Sequence, residues 1–136
     1  MACRRMIVVD ASGLVNALAD DAVDGDLTCG RLLADPDPHA PSLVDLEVLP
    51  VLRRQLRHGG LDNRRADLAV VDLRTLALTR YPHDELVSRV WALRDALTPY
   101  DGAYVASAEV LECVLVTADK QLARVSGSGC PIEVLG

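Results

Sequence analysis

Residues 6–12 read Met6-Ile7-Val8-Val9-Asp10-Ala11-Ser12. An apolar run rich in β-branched residues ends in a single acid. Such a run has no polar alternate face, which is the pattern of a strand buried on both sides. Ser12 to Ala19 continues with Leu14, Val15 and Leu18 on one side of a helix, so the chain passes from strand to helix across Asp10. The same arrangement returns near the other end. Val114-Leu115-Val116-Thr117 reads as a strand, Asp119 follows it, and Asp119 to Val125 reads as a short helix. Strands alternating with helices predict an α/β fold. We expect one domain over residues 1–136, with a central parallel sheet of four to five strands flanked by helices.

The stretches between these two anchors fill in the layers. A short helix is expected over residues 26–34, stopped by Asp35-Pro36-Asp37-Pro38, and His39 to Pro41 is a brief second strand. Ser42 stands where an N-cap belongs, with Asp45 three residues on. The helix that follows runs to about His58, ends at Gly59-Gly60, and carries the stripe Leu46, Leu49, Leu52 and Leu56. Pro50 falls inside that pattern and predicts a kink or an early break. Asp62 caps a helix to about Arg74, with Leu68 and Val71 as its buried positions. Thr75 to Thr79 reads as a strand, and Asp84 to Leu97 as an amphipathic helix with Leu86, Val90, Leu93 and Leu97 on one face. Thr98-Pro99 breaks the chain, Asp101 to Leu111 is helical, and Pro131 to Leu135 is a last strand.

Composition narrows the class. Met6 to Ala19 is interrupted by Asp10 and Asn16, too early for a signal sequence or a membrane span, and a cytoplasmic location is expected. Cys3, Cys29, Cys113 and Cys130 form no C-x-x-C pair and no zinc spacing, so unpaired thiols are expected. The net charge is −6, the reverse of the usual nucleic-acid binder. A chain that gathers carboxylates around metal ions carries the same sign. Thirteen of its 14 basic residues are Arg, Lys120 being the exception. Arg presents a planar donor fork suited to phosphate and carboxylate.

Four acids stand where chemistry belongs in such a fold. Asp10 lies at the carboxyl end of the first strand and Asp119 just past that of the Val114 strand. Open α/β sheets bind ligands outside those ends. Asp101 opens a helix, and Glu47 lies one turn into the helix after the second strand. Two carboxylates about 4 Å apart repel by ~4 kcal/mol at an effective dielectric near 20, so four together call for a hard divalent cation. A plainer reading stands beside this one. Each Asp precedes a helix and can serve as its cap, and Glu47 can belong to a solvated helix face.

The words around these acids resemble the motifs of PIN-domain nucleases. Ile7-Val8-Val9-Asp10-Ala11-Ser12 resembles that family's opening strand, with Asp followed two residues later by Ser or Thr. Pro41-Ser42-Leu43-Val44-Asp45-Leu46-Glu47 resembles the segment with its helix Glu. Leu97-Thr98-Pro99-Tyr100-Asp101-Gly102-Ala103-Tyr104-Val105-Ala106 resembles the third motif, and Leu115-Val116-Thr117-Ala118-Asp119-Lys120-Gln121-Leu122-Ala123 the fourth. The four follow in order across nearly the whole chain. A single domain of this length is similar to the VapC-type toxins of bacterial toxin–antitoxin pairs. Gly102 departs from the family's usual Ala, and Pro50 is foreign to the helix that carries the Glu.

The resemblance implies that Asp10, Glu47, Asp101 and Asp119 bind one or two Mg2+ or Mn2+ ions. It implies that Ser12 and Thr117 orient those carboxylates, and that the activity is endoribonucleolytic, water attacking the RNA phosphodiester. It implies a cognate antitoxin that blocks the acidic cleft, and a homodimer. Arg53, Arg54 and Arg57 in one helix, Arg64 and Arg65 at the start of the next, and Arg94 near the third motif are candidates for RNA or partner contact, or for a solvated face. Aromatics are few, so recognition by shape and backbone is expected, and Trp91 is expected to pack against a neighbouring element. His39, His58 and His83 pair with no nucleophile at a recognisable spacing. A receiver domain requires an adjacent acidic pair near the first strand, and a dehalogenase-like enzyme an Asp-x-Asp opening. Neither is present. A PIN-fold module that binds RNA or an antitoxin without cleaving is the alternative from another class.

Overall fold

A computed structural model describes residues 6–19 and 37–135. The helix expected over 26–34 and the thiols Cys3 and Cys29 lie outside the described residues. Strand β1 (Met6–Val9) leads into helix α1 (Ala11–Ala19), and β2 (Asp37–Pro41) into α2 (Val44–Arg57) and α3 (Asn63–Thr75). Then come β3 (Thr79–Tyr81), α4 (Val87–Ala92), α5 (Pro99–Leu111), β4 (Val114–Thr117) and β5 (Ile132–Val134). The five strands form one parallel sheet in the order β3-β2-β1-β4-β5.

That order places the switch in strand order between β1 and β4. The chain builds outward from β1 through β2 to β3, then crosses back to lay β4 on the other side of β1. β1 and β4 are the fully covered strands: Ile7, Val8, Val9, Leu115, Val116 and Thr117 are each about 1 % exposed or less. Their β-branched runs are what a central parallel strand requires. β2 carries Pro38 and Pro41, which withhold two donors from the ladder. It pairs with β1 through Asp37–His39 and with β3 through His39–Pro41, so only His39 pairs on both sides. His39 is buried there, with Nδ1 2.7 Å from the Tyr81 hydroxyl and the two rings stacked.

The helices depart from the sequence expectations mainly in which face they bury. α2 turns Val44, Val48 and Leu52 inward and leaves Leu46 and Leu49 in solvent. α3 buries Ala66, Ala69 and Leu73, while Leu68 and Val71 are exposed. In both cases Val or Ala residues share the inner face with one leucine, Leu52 or Leu73, while Leu46, Leu49 and Leu68 face out. Ser42 does not cap α2: its N-cap is Leu43, with no side-chain bond, and Asp45 instead holds Arg80 in a two-pronged ion pair at 2.7 and 2.8 Å. α2 runs unbroken through Pro50, so the expected break does not occur. The missing N–H costs one bond to the Leu46 carbonyl, on the exposed side of the helix, where the carbonyl is open to solvent. The helix ends as expected, with Gly59 at φ +74°. Asp62 caps α3 by accepting the Arg65 N–H at 2.7 Å.

Three further elements differ. The third strand is Thr79–Tyr81 and not Thr75–Thr79, because α3 extends to Thr75. The helix expected over 84–97 is a 3-10 turn (Asp84–Leu86) joined to the short α4. The helix expected after Asp119 is a 3-10 turn over Leu122–Arg124. Gly102 has a packing reason: a Cβ there would stand 3.2 Å from Val90 Cγ1, so the bare backbone lets α4 settle on α5. Among the described residues, no helix is long and apolar enough to cross a membrane.

Candidate active site

Asp10 sits where β1 ends, 4 % exposed, and both oxygens of its carboxylate are engaged. Oδ1 accepts the Ser12 hydroxyl at 2.7 Å and the Gly13 N–H at 2.9 Å. Oδ2 accepts the Thr117 hydroxyl, across from β1 at the end of β4. Ser12 and Thr117 also lie 3.2 Å apart, but each hydroxyl has a single proton and each proton goes to Asp10. Their oxygens are therefore free to accept, Ser12 from the Ala118 N–H at 3.0 Å and Thr117 from the Asp119 N–H at 3.0 Å. The result ties the exits of the two central strands together around one buried carboxylate. Gly13 belongs to it as well, since a Cβ there would press within 3.0 Å of Val9 Cγ2 and 3.5 Å of Asp10 Oδ1.

Glu47 lies on the flank of α2 that turns toward α5. The sequence placed it on the face opposite a leucine stripe; with Val44, Val48 and Leu52 as the true inner face, it stands beside the core. Its Oε1 accepts the Tyr104 hydroxyl at 2.6 Å. Burial drives the Tyr104 pKa far up, and Glu47's bond and charge push the same way, so Tyr104 stays a proton donor. Tyr104 was not singled out from sequence. The available signal was spacing: it follows Asp101 by three residues, one helical turn along the same face. Asp101 occupies the first turn of α5, whose cap is Thr98, the Thr98 hydroxyl accepting the Asp101 N–H at 3.3 Å. Asp119 is exposed at the rim and accepts the Gln121 N–H at 2.9 Å. Capping and clustering therefore coexist: Asp10 and Asp119 each serve a turn, and neither Asp101 nor Glu47 does.

The electrostatics link the four acids. Burial raises the Asp10 pKa, opposed by its three donors, and the charge of Asp101 raises it further. Glu47 is raised by burial against the pull of Tyr104, with Asp101 and Asp10 adding to the rise. Asp101 is raised by burial and then by Asp119. No Arg or Lys figures among the causes acting on these three carboxyls. Among the described residues, negative charge thus converges from four elements with no Arg or Lys acting on these three carboxyls. Among the described residues, no three His, Cys, Asp or Glu side chains stand close enough together to hold a metal ion as they are placed. The donors are all oxygen and loosely gathered, which fits a hard divalent ion that keeps several of its waters.

The candidate contact residues lie outside this cluster. Arg53, Arg54 and Arg57 are exposed along α2. Arg94 does not join the acids: its guanidinium lies 4.6 Å from the Trp91 ring centroid and its Nη1 donates to the Trp91 carbonyl at 3.1 Å. Trp91 is not packed away as expected but 66 % exposed. With Leu43, Val87, Tyr100 and Ala103 it lines an open cavity of about 430 Å³ next to the turn that carries Asp101.

Comparison with known proteins places these features in a family. The PIN domain model matches residues 7–128. Ribonuclease VapC9 of Mycobacterium tuberculosis is 44% identical over 133 residues, covering 96% of this chain and 98% of that protein. Ribonuclease VapC1 of the same organism is 37% identical over 129 residues, covering 94% and 96%. Among solved structures, VapBC2 from Rickettsia felis, bound to a DNA fragment from its promoter, superposes with a TM-score of 0.70 at 13% identity, over 96% of this chain and 99% of that one.

Proposed function

Since this chain belongs to the PIN-domain family and is akin throughout its length to VapC ribonucleases, we propose that it is the toxin of a toxin–antitoxin pair, a divalent-metal-dependent endoribonuclease. The observation that carries the catalytic reading is the convergence of Asp10, Glu47, Asp101 and Asp119 with no cation among the described residues acting on Asp10, Glu47 or Asp101. These four side chains would hold one or two Mg2+ or Mn2+ ions. A bound ion of this kind supplies a Lewis acid for the phosphodiester and makes water a better nucleophile at neutral pH.

The protein's own residues do the positioning. Ser12, Thr117 and the Gly13 amide fix the plane of the Asp10 carboxylate and keep both its oxygens acceptor-only. Tyr104 fixes Glu47 in the same way from α5. Asp119, exposed at the rim, is the acid an incoming phosphate meets first. Arg53, Arg54 and Arg57 offer a row of cations on α2 for RNA phosphates or for an acidic partner surface. Arg94 would reach RNA only from its seat on Trp91.

An antitoxin partner is supported by the fold shared with VapBC2 and by the acidic cleft, which would accept an arginine from the partner. A homodimer is supported by an apolar surface: Leu46, Val87, Trp91 and Tyr100 are 72%, 58%, 66% and 59% exposed. A cytoplasmic setting agrees with RNA as substrate.

The test is cleavage of total RNA by purified, antitoxin-free protein with Mg2+ or Mn2+. Discrete products that disappear with EDTA and in Asp101→Asn are expected. Folded protein that cuts no RNA under any of these conditions would make the chain a binding module.

A further inference from the structure

Cys113 and Cys130 stand at the amino ends of β4 and β5, opposite the edge of the sheet that holds the acids. The parallel register pairs Leu115 with Ile132 and Thr117 with Val134. Carried back two residues, it sets Cys113 beside Cys130. Positions two apart on a strand share a face, so the register carried back puts both residues on the side of Leu115 and Ile132. Both are half-buried and pack against the same core. The charge of an ionised Cys130 is felt at Cys113, in keeping with the register, and the Cys113 thiol also lies by the backbone of Val8 on β1. Neighbouring parallel strands are about 4.8 Å apart, within the Cα separation that a disulfide spans.

The backbone holds the two cysteines in place but does not join them. The Cys113 N–H turns back to the Ala108 carbonyl at 3.0 Å, and Pro131 has no N–H to offer. The first ladder bond is Leu115 N–H to the Pro131 carbonyl at 2.9 Å. On the other strand, Glu109 accepts the Gly129 N–H at 2.8 Å and Arg89 binds both Glu109 and the Gly127 carbonyl. Ser128 Oγ lies 3.3 Å from Cys130 Sγ. The sheet thus ends in an unbonded gap flanked by two fixed thiols.

We propose that Cys113 and Cys130 are a dithiol modification site, oxidised by a small disulfide such as glutathione disulfide to a bridge that closes this end of the sheet. One thiolate attacks the small disulfide, forming a mixed disulfide and releasing one small thiol. The second cysteine then displaces the other small thiol and forms the Cys113–Cys130 bond. Two electrons and two protons pass from the protein to the small disulfide, which leaves as two thiols. Burial raises both cysteine pKa values, so the reaction is slow at neutral pH and quickens as pH rises. The bridge would close the loop bearing Thr117 and Asp119.

The experiment uses full-length protein with Cys3 and Cys29 changed to Ser, treated with glutathione disulfide. Intact mass should fall by two hydrogen atoms, and peptide mapping should find Cys113 linked to Cys130. Thermal unfolding should shift upward by at least about 5 °C, as expected for a loop of this length, and revert with dithiothreitol. Cys113→Ser in the same background should show neither the mass change nor the shift. Stable glutathione adducts on both cysteines, or two free thiols after prolonged oxidation of folded protein, would overturn the proposal. Neither result bears on RNA cleavage, which is read separately.

Discussion

At the scale of single residues, the carboxylates of the proposed site cost the fold stability when they are ionised. Asp10, Glu47 and Asp101 each hold a proton more tightly in the folded chain than in an unfolded one. The folded state then binds more protons. Without metal, the contribution of these three groups to stability is therefore greatest at low pH and is lost as pH rises from about 4 through the raised values, while the Arg89–Glu109 pair contributes in the opposite direction. Asp101 gains something from its place in the first turn of α5, yet the balance is still upward. Asp101→Asn should thus raise the melting temperature in EDTA at pH 7 by a few degrees while removing cleavage, and the two curves should converge toward pH 4. Calorimetry across that range checks this; equal melting temperatures at pH 7 would mean that the acids do not strain one another. Tyr104 is the subtler case. Tyr104→Phe leaves the ring in place and strips Glu47 of its donor, so kcat should fall about tenfold or more with KM little changed. An unaltered kcat would reduce Tyr104 to packing.

At the scale of elements, the face a helix buries is set by its neighbours more than by its own hydrophobicity. Leu52→Ala on α2 should cost about 2–4 kcal/mol, whereas Leu46→Ala, one helix face away, should change monomer stability by less than about 0.5 kcal/mol. Urea unfolding at low protein concentration measures both, and similar losses would restore the leucine stripe that the sequence suggests. β1 and β4 were legible because strands covered on both faces leave no polar alternation, and Ile7–Val9 and Val114–Val116 show none. β2 was legible only in part, since Asp37-Pro38 reads as a turn. The inner faces of α2 and α3 were not legible. Valine and alanine fit the close approach better than the leucines that dominate the pattern. That misreading also displaced Glu47. The acids themselves were legible as four motifs in order, while Tyr104 was not, because its partner lies 57 residues away.

At the scale of the molecule, the leucines and aromatics left outside form the surface proposed for self-association. Val87 and Trp91 lie one turn apart on α4, and Tyr100 borders the same cavity. Trp91→Arg should turn a dimer into a monomer in sedimentation velocity with the fold unchanged by circular dichroism. A dimer that survives this change is built elsewhere. The sheet order has a different consequence. Asp10 is completed by Thr117, 107 residues further on, and feels the charge of Asp101 from the chain's second half. Synthesis runs in the other direction from need: Asp10 is made early and waits for Asp101, Thr117 and Asp119. While β4 is still to be laid beside β1, the growing polypeptide has no cleft with which to cut. Whatever restrains the finished protein therefore has until its release from the ribosome to arrive.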